Sequence, residues 1–259
     1  MLRQLADRWI AEAGEFPSNY LVYDLETTGF RKESDLIVEL GHCVVKDNVA
    51  EYYHSQVLGW DQMPDDIEHE WLQYKIQQCA DHMASAGRQS HMTWERMCEE
   101  GEDPIEALDS YYELLMSAQE QGVFIAGHNF LGFDNARFAH ACDEWLGKKF
   151  EILNPNRVID TAAIEKAVQL DLAPFPEETL VDFFRRVTSR SAKGTKHNLD
   201  QHCVKKYRLE EKYDMNPADA HTAGFDSVLV HWLINEYKEQ ADGLRRDHVL
   251  RRKRRKAKR

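Results

Sequence analysis

Two carboxylates stand one residue apart in Tyr20-Leu21-Val22-Tyr23-Asp24-Leu25-Glu26, a segment otherwise aromatic and aliphatic. A β-strand alternates its side chains, so Asp24 and Glu26 would project from one face about 7 Å apart. Two anions so placed repel unless water or a cation lies between them. A hard divalent ion, which favours oxygen ligands, would relieve the repulsion. A strand end turned to solvent is the simpler structural account. Thr27-Thr28-Gly29 follows at once. Two small hydroxyl residues and a glycine would let a phosphate or sugar approach the backbone closely, or would simply end the strand in a turn.

Two further stretches carry groups of the same kind. The first is His128-Asn129-Phe130-Leu131-Gly132-Phe133-Asp134, directly after the apolar run Val123–Gly127. Asp134 falls at the start of a helical pattern, where a carboxylate also complements the helix dipole. Asn129 could donate to a sugar or phosphate, and Phe130 or Phe133 could stack on a base or fill the core. The second is His221-Thr222-Ala223-Gly224-Phe225-Asp226, at the opening of the last strongly amphipathic pattern. Imidazole titrates near pH 6.5, so a histidine beside a metal-bound water is suited to take its proton.

The elements that must position these residues follow from periodicity. The spacing predicts strands over residues 20–26, 36–46 and 49–58, with Asp47-Asn48 as a hairpin turn between the last two. Three strands joined so closely make an antiparallel meander. Residues 60–122 read as helical, with Asp103-Pro104-Ile105-Glu106 as a helix start: an N-cap acid, proline at the first helical position, and glutamate three residues after the cap. A strand over 123–127 precedes a helix over 134–145. Arg157-Val158-Ile159-Asp160 is a short strand followed by a helix after Thr161, and the remainder is helical. Together these elements give an α/β fold, a mixed sheet covered by helices.

Taken in order, the three segments D-x-E-T-T-G, H-N-x-x-x-F-D and H-x-A-x-x-D resemble the histidine-containing branch of the DEDD superfamily of 3′-to-5′ exonucleases, which includes DNA polymerase proofreading subunits, RNase T and oligoribonuclease. The resemblance runs from about Tyr20 to Tyr237. Lys196-His197-Asn198-Leu199-Asp200, placed in a helical region, and Val158-Ile159-Asp160-Thr161 also match the family, with Asp160 read as structural. The resemblance implies an RNase H-like five-stranded mixed sheet, three antiparallel strands first, flanked by helices. It implies that Asp24, Glu26, Asp134 and Asp226 hold two Mg²⁺ ions, with Mn²⁺ able to substitute, and that His221 activates the attacking water. Thr27, Thr28, Phe30 and Asn129 would bind substrate. The substrate would be the 3′ end of single-stranded DNA or RNA, with DLETTG closer to the DNA-directed members. An RNA-directed exonuclease of the same fold and a non-catalytic nucleic-acid-binding module are the alternatives. A homodimer and a polymerase or other replication or repair partner fall within the family's range.

Residues 1–240 are read as the exonuclease domain, with a helical insertion over about 60–92 that departs from the family pattern, and 241–259 as a basic C-terminal tail. Residues 245–259 hold ten Lys or Arg against one Asp, a net +9, which leaves −21 on the rest of a chain whose total is −12. So acidic a body would not hold a polyanion by charge alone. The tail could recruit nucleic acid or an acidic protein, or it could close a solvated helix. The cysteines 43, 79, 98, 142 and 203 form no C-x-x-C pair and read as reduced, mostly buried thiols, which places the chain in the cytoplasm. Met1 to Gly14 reads as a short amphipathic helix without the apolar core of a signal peptide. No apolar run approaches the roughly 20 residues needed to span a bilayer, so no membrane partner is expected.

Overall fold

A computed structural model describes residues 1–31, 34–63, 65–85, 90–190, 195–214 and 222–257, with backbone course alone for 200–201 and 244–257. Helix α1 (Leu2–Ala13) leads into β1 (Tyr20–Thr27), β2 (Ile37–Lys46) and β3 (Val49–Val57). These strands form the expected antiparallel meander. The turn between β2 and β3 places both Asp47 (φ 50°) and Asn48 (φ 65°) in the left-handed region. Short polar side chains tolerate that conformation, and it matches the twist of a two-residue hairpin.

Helices α2 (His69–Ser85), α3 (Trp94–Glu100) and α4 (Pro104–Glu120) come next. Asp103 caps α4 as its sequence predicts, accepting from the amides of Ile105 (2.9 Å) and Glu106 (3.0 Å). Then follow β4 (Phe124–Gly127), α5 (Asp134–Ala141), β5 (Val158–Asp160), α6 (Thr161–Gln169), α7 (Leu180–Ser189), the short turns α8 (Val204–Tyr207) and α9 (Leu209–Lys212), and α10 (Ala223–Ala257). β4 and β5 run parallel to β1, and the sheet order is β3-β2-β1-β4-β5. This five-stranded mixed sheet flanked by helices is the RNase H-like α/β fold. Lys196, His197 and Asn198 depart from the expected helix and lie in irregular chain. The side chain of Gln169 bonds both the amide and the carbonyl of Lys196, diverting them from a helical ladder.

Strands β1 and β2 are buried on both faces, which explains their nearly continuous apolar runs, whereas the edge strand β3 is largely exposed. Helix α10 lies across β1, β2 and β3. On β2 the alternation is decisive. His42 turns toward Tyr111 of α4, whereas Gly41 faces the first turn of α10. A Cβ on Gly41 would come within 2.0 Å of the Ala223 carbonyl carbon and 2.2 Å of the Gly224 nitrogen. Gly224 in turn meets the His54 carbonyl, and its amide donates to Ser55 Oγ at 2.8 Å. Backbone therefore packs on backbone where α10 begins. Gly41 is also the cross-strand partner of Asp24.

Two ion pairs fasten the α2–α3 region, one to the loop before β2 and one to β2 itself. Lys75 of α2 reaches Asp35 at 2.5 Å, and Arg96 of α3 reaches Glu39 at 3.1 Å. Asp35 and Glu39 are both nearly inaccessible to solvent. Among the described residues no helix is long and apolar enough to cross a membrane.

Because Gly41 has only backbone to yield against it, Gly41→Ala is expected to destabilise the protein by about 2 kcal/mol or more. Equilibrium urea denaturation reads this directly, and an unchanged midpoint would show that α10 does not need the close approach.

Candidate metal centre

The carboxyl ends of the parallel strands β1, β4 and β5 all lie at one end of the sheet. In open α/β sheets this is where ligands are bound. Asp24 and Glu26 sit near the end of β1 and share a face, as strand alternation requires. Asp226 lies in the first turn of α10, four residues past Thr222, whose carbonyl accepts the Asp226 amide. Because α10 begins against Gly41, its first turn delivers Asp226 to the acids of β1. One carboxylate oxygen from each of Asp24, Glu26 and Asp226 lies within 4.8 Å of the others, and all three residues are half-buried.

Asp134 stands beside this trio as the first residue of α5, and it is only 3% exposed. Pairing of β4 with β1 ends at Val22–Ala126, so Leu25 lies past the last residue of β1 that β4 opposes. The Leu25 amide donates to the Asp134 carboxylate, which also accepts from its own N–H. After burial, the charge of Asp134 is the strongest influence on Asp24.

The electrostatics are those of a crowded anionic pocket. Burial, then the charges of Asp134, Asp226, Glu26 and Glu39, raise Asp24 well above the usual carboxylate range. Burial, then Asp226, Glu39 and Asp134, do the same to Glu26, against the opposing pull of Arg96. Burial pushes Asp134 up to about 8, with Asp160 adding to it and Arg137 and backbone N–H groups opposing it. Ionising such carboxyl groups together is costly, and a bound cation would offset that cost. Hard oxygen donors close enough to share one ion, each costly to ionise alone, fit a divalent metal.

The residues that the resemblance assigns to substrate lie at the end of β1 and in the turns after β1 and β4. Thr27, the last residue of β1, and Thr28, the first after it, are both buried: Thr27 Oγ1 donates to the Gly29 carbonyl at 2.7 Å, and Thr28 Oγ1 accepts the Leu36 amide at 3.0 Å. Their hydroxyls serve the turn itself. Phe30 is 75% exposed, with its ring edge-on to His82 of α2 and Phe133, each at 6.1 Å. Asn129 adopts φ 61° in the β4–α5 turn, and its carbonyl accepts the Gly132 and Phe133 amides. Phe130 is fully buried against Tyr23 and belongs to the core. Asp160 caps α6 through Ala163 (3.0 Å) and also accepts the amides of Asn129 (3.1 Å) and Leu131 (3.3 Å), so it shapes the turn that presents Asp134. His128 bonds Thr161 at 2.9 Å, and burial lowers its pKa to about 4. His221 lies outside the described residues, one position before Thr222.

Sequence reasoning passed over three residues at this site. Glu39 is 1% exposed, directly across from Glu26 on β2, and Arg96 is paired with it. An acid inside the apolar run Ile37-Val38-Glu39-Leu40 was the available signal. Arg137 places its guanidinium 3.4 Å from the centre of the Phe133 ring and bonds the Phe30 carbonyl, joining the turn after β1 to α5. A cavity of about 710 Å³ opens near Ser18, Tyr20, Val45 and Arg157, at the far end of β1 from the acids. None of the four acids lines it, so the chemistry does not reside there.

No family model and no curated protein matches the chain. Solved structures do. A zinc-bound complex of E. coli exonuclease I with single-stranded DNA superposes with a TM-score of 0.54 at 14% identity, covering 86% of this chain and 42% of that one. A structure of exonuclease I discussed for its processivity gives 0.53 at 13% identity over 86% and 42%. The E. coli enzyme with a dA16 oligonucleotide gives 0.52 at 13% over the same shares. The chain thus spans less than half the length of these enzymes, and at such identity the likeness is one of fold.

The raised carboxyl pKa values set a pH dependence. Groups that folding holds protonated bind more protons in the native than in the unfolded state, so without metal stability falls as pH rises from about 4 to about 8. A divalent cation that replaces those protons should stabilise most at the upper end of that window. Addition of Mg²⁺ is expected to raise the melting temperature more at pH 8 than at pH 6. Equal shifts at both pH values in differential scanning calorimetry would contradict the coupling.

Proposed function

We propose that the chain is a divalent-metal-dependent 3′-to-5′ exonuclease of the histidine-containing DEDD type, acting on single-stranded DNA. The observation that carries this reading is the convergence of Asp24, Glu26 and Asp226 to within 4.8 Å, with Asp134 beside them, at the carboxyl end of an RNase H-like sheet. The exonuclease I structures of the same fold, described with single-stranded DNA, support the choice of substrate.

Asp24, Glu26 and Asp226 would hold one Mg²⁺, and Asp24 with Asp134 a second. When bound, such ions would supply positive charge to the attacking and leaving oxygens of a displacement at phosphorus. The chain's own residues do the rest. His221, two positions before α10 in the sequence, would take the proton of the attacking water. Phe30, whose carbonyl accepts from Arg137 and whose exposed ring is flanked by Phe133 and His82, offers that ring to a nucleobase. A stacking contact grips an unpaired strand without reading its sequence. The enzyme need hold only a few terminal nucleotides, so the net negative body is no obstacle once cations neutralise the pocket.

Asp24→Asn removes a ligand shared by both ions and is expected to abolish hydrolysis with the fold intact. His221→Ala should lower turnover by about 10²–10⁴-fold, the usual worth of a general base. Oligonucleotides labelled at the 3′ or the 5′ end, with and without Mg²⁺, report polarity and metal need together. Undiminished cleavage by Asp24→Asn would end the assignment, and faster loss of an RNA oligomer of equal length would move the substrate to RNA. Phe30→Ala should raise KM for single strands by roughly tenfold, since base–aromatic stacking contributes about 1–3 kcal/mol. Wild-type KM in that variant would remove Phe30 from the binding surface.

A further inference from the structure

Glu39 is a fifth carboxylate at the acid cluster, and none of the proposed chemistry uses it. It lies on β2 as the cross-strand partner of Glu26 and is 1% exposed. Directly opposed residues on one face of an antiparallel pair have Cβ atoms about 5 Å apart, and like charges there are destabilising. The burden falls on Glu26, whose pKa Glu39 raises. Adding an anion to a pocket already overfilled with them calls for a reason.

Arg96 supplies it. Its guanidinium meets both oxygens of Glu39, Nη2 to Oε1 at 3.1 Å and Nη1 to Oε2 at 3.4 Å. The same group is anchored from behind by Glu100 (2.8 Å to Nε) and by the His91 carbonyl (3.3 Å to Nη1). Arg96 is therefore held at the edge of the metal centre, close enough that its charge acts on Glu26. Guanidinium is always charged and favours carboxylates with two-pronged geometry. Left without Glu39, it would face Glu26, the neighbouring anion on that side of the sheet.

We infer that Glu39 is a positioning residue: it engages Arg96 and so keeps that arginine from pairing with Glu26, leaving Glu26 open to a metal ion. The inference rests on the reading of Asp24, Glu26 and Asp226 as cation ligands. It gives the α3 segment a part in setting metal affinity in addition to its packing on the sheet. A plain fastening role for the ion pair makes a different demand. Both single substitutions would then cost stability, and metal affinity would not depend on which partner was removed.

Mn²⁺ binding measured by titration calorimetry on the full chain separates the two, with thermal unfolding to verify that each variant is folded. Glu39→Gln releases Arg96 and is expected to weaken Mn²⁺ binding by about tenfold, within the range seen when an outer partner of a metal ligand is lost. Arg96→Met alone should bind at least as tightly as the wild type. The Glu39→Gln/Arg96→Met pair should return to within about twofold of wild type, because the competing cation is gone. Should Glu39→Gln fail to fold, Glu39→Asp keeps the charge but draws it back by one methylene, and a smaller loss in the same direction is expected. Wild-type affinity in the Glu39 variants, or a double variant as weak as Glu39→Gln, would overturn the inference while leaving the metal centre in place. A wild-type chain that binds no Mn²⁺ would overturn both.

Discussion

Mutual repulsion among carboxylates that the fold forces together is the constraint from which the rest of this molecule follows. Asp24, Glu26, Asp134 and Asp226 come from β1, α5 and α10, far apart in sequence, and meet in one half-buried pocket. Each would be inexpensive on the surface. Together and half-buried they work against folding at neutral pH, and natural proteins keep such arrangements where a function needs them. The stabilising elements around the cluster make sense as compensation. Leu25 and Asp134 contribute amides, Arg137 and Arg96 contribute cations, and the first turns of α5 and α10 present the positive ends of their dipoles.

The geometry that enforces this meeting is mostly backbone. Gly41 and Gly224 allow α10 to start in contact with β2 and β3, which sets the height of Asp226 above the sheet. The turn from β4 into α5 is fixed by Asn129 in a left-handed conformation and by Asp160, whose carboxylate accepts amides from both sides of the gap between β4 and α6. The acids of the cluster are few, and much of the surrounding sequence serves to aim them.

Legibility from sequence divided along physical lines. Strands β1 to β3 were readable because each is a dense apolar run bounded by turn residues, and α4 because its cap chemistry is local. Asp24 and Glu26 stood out as acids inside an apolar run, and Asp134 and Asp226 as acids in the first turns of helices. Glu39 and Arg96 were not, since their meaning depends on cross-strand register and on where α3 lands, both long-range facts. The irregular chain at Lys196–Asn198 escaped for the same reason: a glutamine from α6 takes the bonds a helix would have used. The hydroxyls of Thr27 and Thr28, assigned to substrate by resemblance, are engaged in their own turn. Any contact they make with a phosphate would come through the backbone the turn exposes.

The most direct test of the central claim is anomalous diffraction from a crystal of the protein soaked in Mn²⁺. Two peaks about 4 Å apart, one among Asp24, Glu26 and Asp226 and the other between Asp24 and Asp134, are expected. A well-ordered pocket with no anomalous signal there, its carboxylates hydrogen-bonded to one another, would contradict the claim.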